Sequence, residues 1–466
     1  MRGTTSMARI LALAAFVAMH APGVEARTLR EAFAIAYETN PDLIAARADL
    51  RALDESVNQA RAGMRPDVDL EFRYELEARD SQIAGRQDSD PFTARVVASQ
   101  AIYDGGRTYN SVLGRVADVS AARSRLLQLE QQVLLDVATA YVDILRDRAF
   151  VDLAQNNVRV ISEQLRASQD RFEVGEVTRT DVSQAEARLA ESRARLATSE
   201  AQLARSEQTF RAVVGEEPFG LERTPPLPTL PASLDAAVDL ALQNHPLLSA
   251  ARFDETSARR DVRTAVGGLL PTVSLEASGG YDDNSVLLDD LRNNDTVSGA
   301  VGVVARIPIY QGGAAYSRVR QAQARASSAR AGLSVEARER RRQAEAAWTE
   351  LLAARANIVA GREQVQAAQL AFEGVREEAI VGSRTTLDVL DAEQELLDAR
   401  SRLVETTRNE FVAAYSLLST IGALTMADLE VAAVAYDPAI NYDANNARFF
   451  GFERDEDTVW ETLWRP

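Results

Sequence analysis

Few residues of this 466-residue chain could do chemistry, and their types exclude most kinds of it. Asp388 and Asp391 stand three apart, so on a helix they share one face. Taken alone, such a pair is a solvated face. Asp282, Asp283, Asp289, Asp290 and Asp295 cluster in one stretch but lack the ordered ligand spacing of a calcium loop. They read as an acidic exposed loop. The chain has two histidines. His20 falls in a leader segment, which leaves His245, and its place before Pro246 suits a helix start better than a catalyst. There is no cysteine, hence no disulfide, thiol nucleophile, thiolate metal site or lipid-modified N-terminal cysteine. With no nucleophile or phosphate-binding motif, no enzyme is expected, and no cofactor or metal is implied. The formal charge of −17 argues against nucleic acid as a partner, because phosphate binding wants a basic surface.

The elements that must position these residues begin after the leader. Arg2 and Arg9 precede an apolar run over 10–19, and Val24 and Ala26 put small residues before a cleavage site. Residues 1–26 are therefore expected to be a secretory signal. No later stretch has 18 consecutive apolar residues, so any membrane span of the mature chain must be a β-barrel.

The rest of the chain is one unit written twice. Leu29, Ala32, Ala36, Pro41, Leu43, Ala46 and Arg47 recur 205 residues on as Leu234, Ala237, Ala241, Pro246, Leu248, Ala251 and Arg252. Tyr103, Gly105 and Gly106 recur 207 residues on as Tyr310, Gly312 and Gly313. Gly175, Asp181, Val182, Leu189 and Gly215 recur as Gly382, Asp388, Val389, Leu396 and Gly422, again at 207. The expected organisation is a first repeat over 27–215, a linker over 216–232 carrying five prolines, a second repeat over 233–422, and a partly disordered tail over 423–466.

Each repeat reads as helix, two strands, helix, helix. First helices are expected over 28–63 and 233–266, and strands over 68–78, 92–103, 272–281 and 296–310. In the first strand Val68, Leu70, Phe72, Tyr74 and Leu76 alternate with charged residues. The segments 79–91 and 282–295 read as exposed loops. The Gly105-Gly106 and Gly312-Gly313 pairs mark the passage from strand to helix. Helical runs over 107–172 and 314–379 then exceed the 10–14 residues of a globular helix, and at 1.5 Å per residue each is roughly 100 Å long. After a Val-Gly break come helices over 178–214 and 385–421. Val182, Leu189, Leu196, Leu203 and Phe210 lie at strict sevens, as do Leu390, Leu397, Val404, Phe411 and Leu418, which predicts coiled-coil packing. Gly175 and Gly382 suit a turn between paired helices, where a positive φ is needed. Strands of this length can cross a bilayer, but four cannot close a barrel.

Two motifs carry a resemblance. They are Val174-Gly175-x-x-Thr178-x-x-Asp181-Val182 and Val381-Gly382-x-x-Thr385-x-x-Asp388-Val389-Leu390-Asp391, seen beside Asn40-Pro41, His245-Pro246 and the Tyr-x-Gly-Gly strand ends. With the doubled helix–hairpin–helix pattern, the chain resembles the TolC-like outer-membrane efflux and secretion channels up to about residue 425. The resemblance implies a mainly α fold with a β hairpin in each repeat. It further implies a homotrimer with a 12-stranded barrel in outer-membrane lipid, continued by a long α-helical barrel across the periplasm of a Gram-negative cell, and a linker and tail packed around that α-barrel. Such a duct is passive, and its partners are a periplasmic adaptor and an inner-membrane ABC exporter or proton-driven pump. By the same resemblance Asp388 and Asp391 form the entrance constriction, and Arg384 locks it against Thr180 and Asp181. The turns at Val174, Gly175, Val381 and Gly382 dock the adaptor. One departure stands out: Ala379 occupies a position where some members carry a tyrosine in the same lock. The alternative reading is a periplasmic coiled-coil or adaptor protein without a pore.

Overall fold

A computed structural model describes residues 28–81, 85–89, 91–222, 225–283, 296–431 and 435–445. The expected signal segment, residues 284–295 of the acidic loop and the last 21 residues lie outside the described residues.

The first repeat opens with α1 (Leu29–Thr39) and α2 (Pro41–Ala62), where one helix over 28–63 was expected. The break is Asn40, whose φ −64° and ψ 122° are extended. Steric conflict with the ring of Pro41 keeps the residue before it out of the helical region, while Pro41 itself is well placed as the first residue of α2. The Asn40 side chain then accepts from the backbone N–H groups of Asp42 (3.0 Å) and Leu43 (3.3 Å), which caps α2. Strand β1 (Asp67–Tyr74), the short pair β2 (Glu77–Ser81) and β3 (Gly85–Ser89), and strand β4 (Phe92–Tyr103) follow. The β2–β3 pair corrects the expectation of a loop over 79–91. Its ladder needs only backbone groups, so a polar sequence can form it without any alternating signal. Then come α3 (Arg107–Glu173) and α4 (Arg179–Val214).

The second repeat runs α5 (Leu234–Asn244), α6 (Pro246–Gly267), β5 (Thr272–Asp283), β6 (Thr296–Arg306), α7 (Ala314–Ile380) and α8 (Thr386–Thr420). Its first helix is likewise divided, at His245 before Pro246. Strand β6 stops at Arg306 and not at 310, short of Pro308, which has no N–H to give the ladder. The tail forms a last short helix, α9 (Ile440–Asn445), docked on α2. Asn441 Nδ2 donates to Asp54 Oδ2 at 2.9 Å, and the Arg47 guanidinium lies between the rings of Tyr37 (4.5 Å) and Tyr436 (5.0 Å).

β1, β4, β5 and β6 form one antiparallel sheet in the order β1-β4-β5-β6. The register puts Leu70 beside Val96, Val96 beside Gly279, and Ala277 beside Val301, so one face is apolar across all four strands. Val68, Leu70, Phe72 and Tyr74 on that face are 61–65% exposed. On β1 charged residues take the other face, where Glu71 stands opposite Arg95 of β4. Below the sheet α3 packs along α4 and α7 along α8, while α6 touches both α3 and α7 and binds the repeats together. The main core lies midway down the long helices. There Phe33, Tyr37, Leu134, Tyr141, Ile144, Phe210, Leu351, Phe411, Tyr415 and Leu417 are buried together. Burying each such side chain contributes about 1.5–3 kcal/mol. No described helix is long and apolar enough to cross a membrane.

Candidate functional site

The predicted site residues gather at the end of the helices farthest in sequence from the sheet, in the α3–α4 and α7–α8 turns. Gly175 has φ +79° and Gly382 φ +78°. Open space surrounds both, so the left-handed backbone and not crowding calls for glycine. The turns are closed alike: Glu176 N–H donates to the Arg171 carbonyl (2.9 Å), and Ser383 N–H to the Glu378 carbonyl (3.0 Å). Val174 and Val381, just before the glycines, are 71% and 78% exposed.

Each turn leads into a reciprocal cap. At α4 the N–H and hydroxyl of Thr178 donate to Asp181 Oδ2 (2.8 and 2.7 Å), and Asp181 N–H returns to Thr178 Oγ1 (3.3 Å). At α8 Thr385 and Asp388 repeat this at 2.9, 2.8 and 3.2 Å. Two orphan donors of each helix start are thereby satisfied. The Thr178 hydroxyl, then its N–H, hold Asp181 below the usual carboxylate range. The Thr385 N–H, then its hydroxyl, do the same for Asp388. Both stay ionised at neutral pH.

The structure brings some of the expected partners together and separates others. Asp388 and Asp391 lie on one turn of α8, but they do not act as a free pair. Asp388 is turned back into its cap, and Asp391 Oδ1 receives Arg188 Nη2 of α4 at 2.9 Å. Within the chain Arg384 does not meet Thr180 or Asp181. Its Nε donates to Glu378 Oε2 at 2.8 Å, Asp181 is engaged by Thr178, and Thr180 is exposed on the first turn of α4. The expected lock is thus not a contact inside one chain. Sequence reasoning missed Arg188 and Glu378. A signal existed: the repeat-equivalent positions carry Glu395 for Arg188, Gln184 for Asp391 and Arg171 for Glu378, so charge differs where the backbone motif repeats.

At the opposite end the glycine pairs turn strand into helix. Gly105 and Gly106 have φ +72° and +75°, Gly312 and Gly313 φ +60° and +79°. A Cβ on Gly105 would fall on the Gly267 carbonyl, whereas nothing lies near Gly312. His245, halfway along, is buried. It accepts from Leu247 N–H through Nδ1 (3.2 Å) and has Arg340 Nη1 3.3 Å from Nε2. Burial, then Arg340, push its pKa down to about 4. It caps α6 as Asn40 caps α2. Among the described residues no group of three or more potential ligands could hold a metal.

The chain is similar to known proteins of one family. The family described as "Outer membrane efflux protein" matches residues 34–216 and 237–423, one stretch in each repeat. The outer membrane efflux protein BepC of Brucella suis is 35% identical over 427 residues, 91% of each chain. The outer membrane protein TolC of Vibrio cholerae is 27% identical, over 87% of this chain and 93% of its own. In fold, the chain is similar to the crystal structure of the outer membrane protein VceC from Vibrio cholerae. The TM-score is 0.73 at 23% identity, covering 84% of this chain and 96% of that one. With the family matched over most of its length, the chain belongs to the outer membrane efflux protein family.

Proposed function

We propose that three copies of the chain surround one axis and together form a duct through the outer membrane and across the periplasm. The four-stranded sheet carries this reading. One of its faces is apolar and exposed, and among the described residues its outer strands β1 and β6 each have an edge without a neighbouring strand. In lipid every backbone group must be paired, so such a sheet has to close. Three sheets joined β1 to β6 make twelve strands, past the eight at which known barrels begin. The long helices support the same assembly. On α7, Val335, Leu352, Val359 and Leu370 are 49–72% exposed, a face suited to a neighbouring copy. The lipid-free alternative, a periplasmic coiled-coil protein, leaves the apolar sheet face unexplained.

The duct is passive and serves a tripartite efflux or type I secretion system. A periplasmic adaptor and an inner-membrane ABC exporter or proton-driven pump are its partners, and the pump supplies the energy. The exposed valines and glycines of the two turns, Val174, Gly175, Val381 and Gly382, are the adaptor contact. Asp388 and Asp391 line the entrance. Arg384 exchanges Glu378 for Thr180 and Asp181 of a neighbouring copy when the entrance closes. The test is reconstitution of the purified protein into planar bilayers, with outer-membrane fractionation beside it. Discrete conductance steps from an outer-membrane protein with heat-modifiable migration support the duct. Protein recovered from the soluble periplasm without pore activity would contradict it.

A further inference from the structure

Arg188 meets Asp391 where α3, α4 and α8 come together. The contact is fixed from below. Leu189 and Leu390, the residues beside the ionic partners, are buried with Ile161 of α3 in one apolar cluster, flanked by Val158 and Leu165. That cluster sets the backbone of α4 against that of α8, so the guanidinium and the carboxylate face each other at 2.9 Å without a search. Arg188 also reaches Glu191 Oε2 through Nη1 at 3.4 Å, and Glu191 is itself held by Arg195 at 2.7 Å, which leaves the Nη2 side of Arg188 to Asp391. The other repeat cannot form this pair, since Gln184 and Glu395 stand at the equivalent positions.

From this geometry we infer that Arg188 is a selectivity-determining residue of the duct: it neutralises Asp391 and so limits how strongly the entrance attracts cations. The inference rests on the placement of Asp388 and Asp391 at the entrance given above. Asp388 keeps its charge but gives one carboxylate oxygen to the Thr385 cap. Arg384 is balanced by Glu378. Asp391 is therefore the acid whose effective charge a single neighbouring side chain decides. Arg188 and Asp391 are 36% and 57% exposed in the chain, and pairs so open to solvent add little to stability. The consequence of Arg188 is the field at the mouth, repeated around the axis in three copies, and that field is strongest when salt is dilute.

The experiment measures reversal potential across a KCl gradient in planar bilayers near 0.1 M and again near 1 M salt. The variants are Arg188→Gln, Asp391→Asn and the two combined, each checked for intact heat-modifiable trimer. Arg188→Gln is expected to raise the K+ over Cl− permeability ratio about twofold at low salt and far less at high salt, where the Debye length falls to about 3 Å. Asp391→Asn is expected to shift it the opposite way, and adding Asp391→Asn to Arg188→Gln to cancel the rise. Arg188→Lys, which keeps the charge, should restore the original ratio. An Arg188→Gln channel with unchanged selectivity, while Asp391→Asn still shifts it, overturns the role of Arg188 and leaves the entrance standing. If neither variant shifts the ratio, the entrance assignment fails as well, and the inference with it.

Discussion

The two repeats place the same backbone devices at matching points and surround them with different side chains. Both divide their first helix before a proline, both pass from strand to helix through two left-handed glycines, and both close their far turn on Gly-x-x-Thr-x-x-Asp. At those same points Asn40 faces His245, open space at Gly312 faces a crowded Gly105, and the polar pair Arg188–Asp391 faces Glu395 and Gln184. Backbone geometry is what the fold needs twice. The side chains that differ are where one repeat does something the other does not.

Burial draws the same contrast. α3 is covered along much of its length by α2, α4, α6 and α8, whereas α7 leaves large apolar residues in solvent. The long helix of one repeat is packed by its own chain, and that of the other leaves an apolar surface which the proposed trimer would cover.

The glycine comparison should show the largest effect. Gly105→Ala combines a positive φ with a collision against the Gly267 carbonyl, and should cost about 2–4 kcal/mol or prevent assembly. Gly312→Ala meets no neighbour and should cost about 1 kcal/mol, the backbone penalty alone. Thermal unfolding of the detergent-solubilised protein reads both, and equal losses would break the comparison.

The helix joints come next. His245 has a folded-state pKa lowered to about 4, so the unfolded chain binds more protons between that value and its ordinary 6.5. Stability supplied by the neutral ring is complete above about pH 6.5 and is lost as pH falls through that window, by about 1–3 kcal/mol per chain. His245→Asn, which copies Asn40, should flatten the acid limb of a melting-temperature profile between pH 6.5 and 4. An unaltered limb would show that other groups cause it.

The two caps should match. Asp181→Ala and Asp388→Ala each remove a reciprocal cap and should lower the melting temperature by similar amounts. Their effects on conductance should differ in kind, because Asp388→Ala removes a carboxylate assigned to the entrance lining, whereas Asp181→Ala removes a partner assigned to the Arg384 lock. Smallest in stability is Arg384→Ser, whose pair with Glu378 is exposed. It should leave the melting temperature nearly unchanged yet raise single-channel conductance if Arg384 closes the entrance. Unchanged conductance would remove the lock.

Much of this was readable from residue order. Prolines, glycines and Thr-x-x-Asp spacings act through local backbone geometry, so their consequences are written where they stand, and the long heptads announce paired helices. The helix start at His245 was legible from Pro246, but the matching joint at Asn40 escaped because an otherwise continuous apolar stripe hides a break that one proline imposes. The β2–β3 pair escaped because it has no alternation to read. Arg188–Asp391 escaped for a different reason. Its partners are 203 positions apart and meet only because Ile161, Leu189 and Leu390 draw three helices together, a packing event that no local motif encodes.

The central claim is that three chains close one barrel, and the mass of the intact particle tests it most directly. Native mass spectrometry of the detergent-released protein should give three times the mass of one mature chain. A stable monomer or dimer, with β1 and β6 left without each other, would contradict the account.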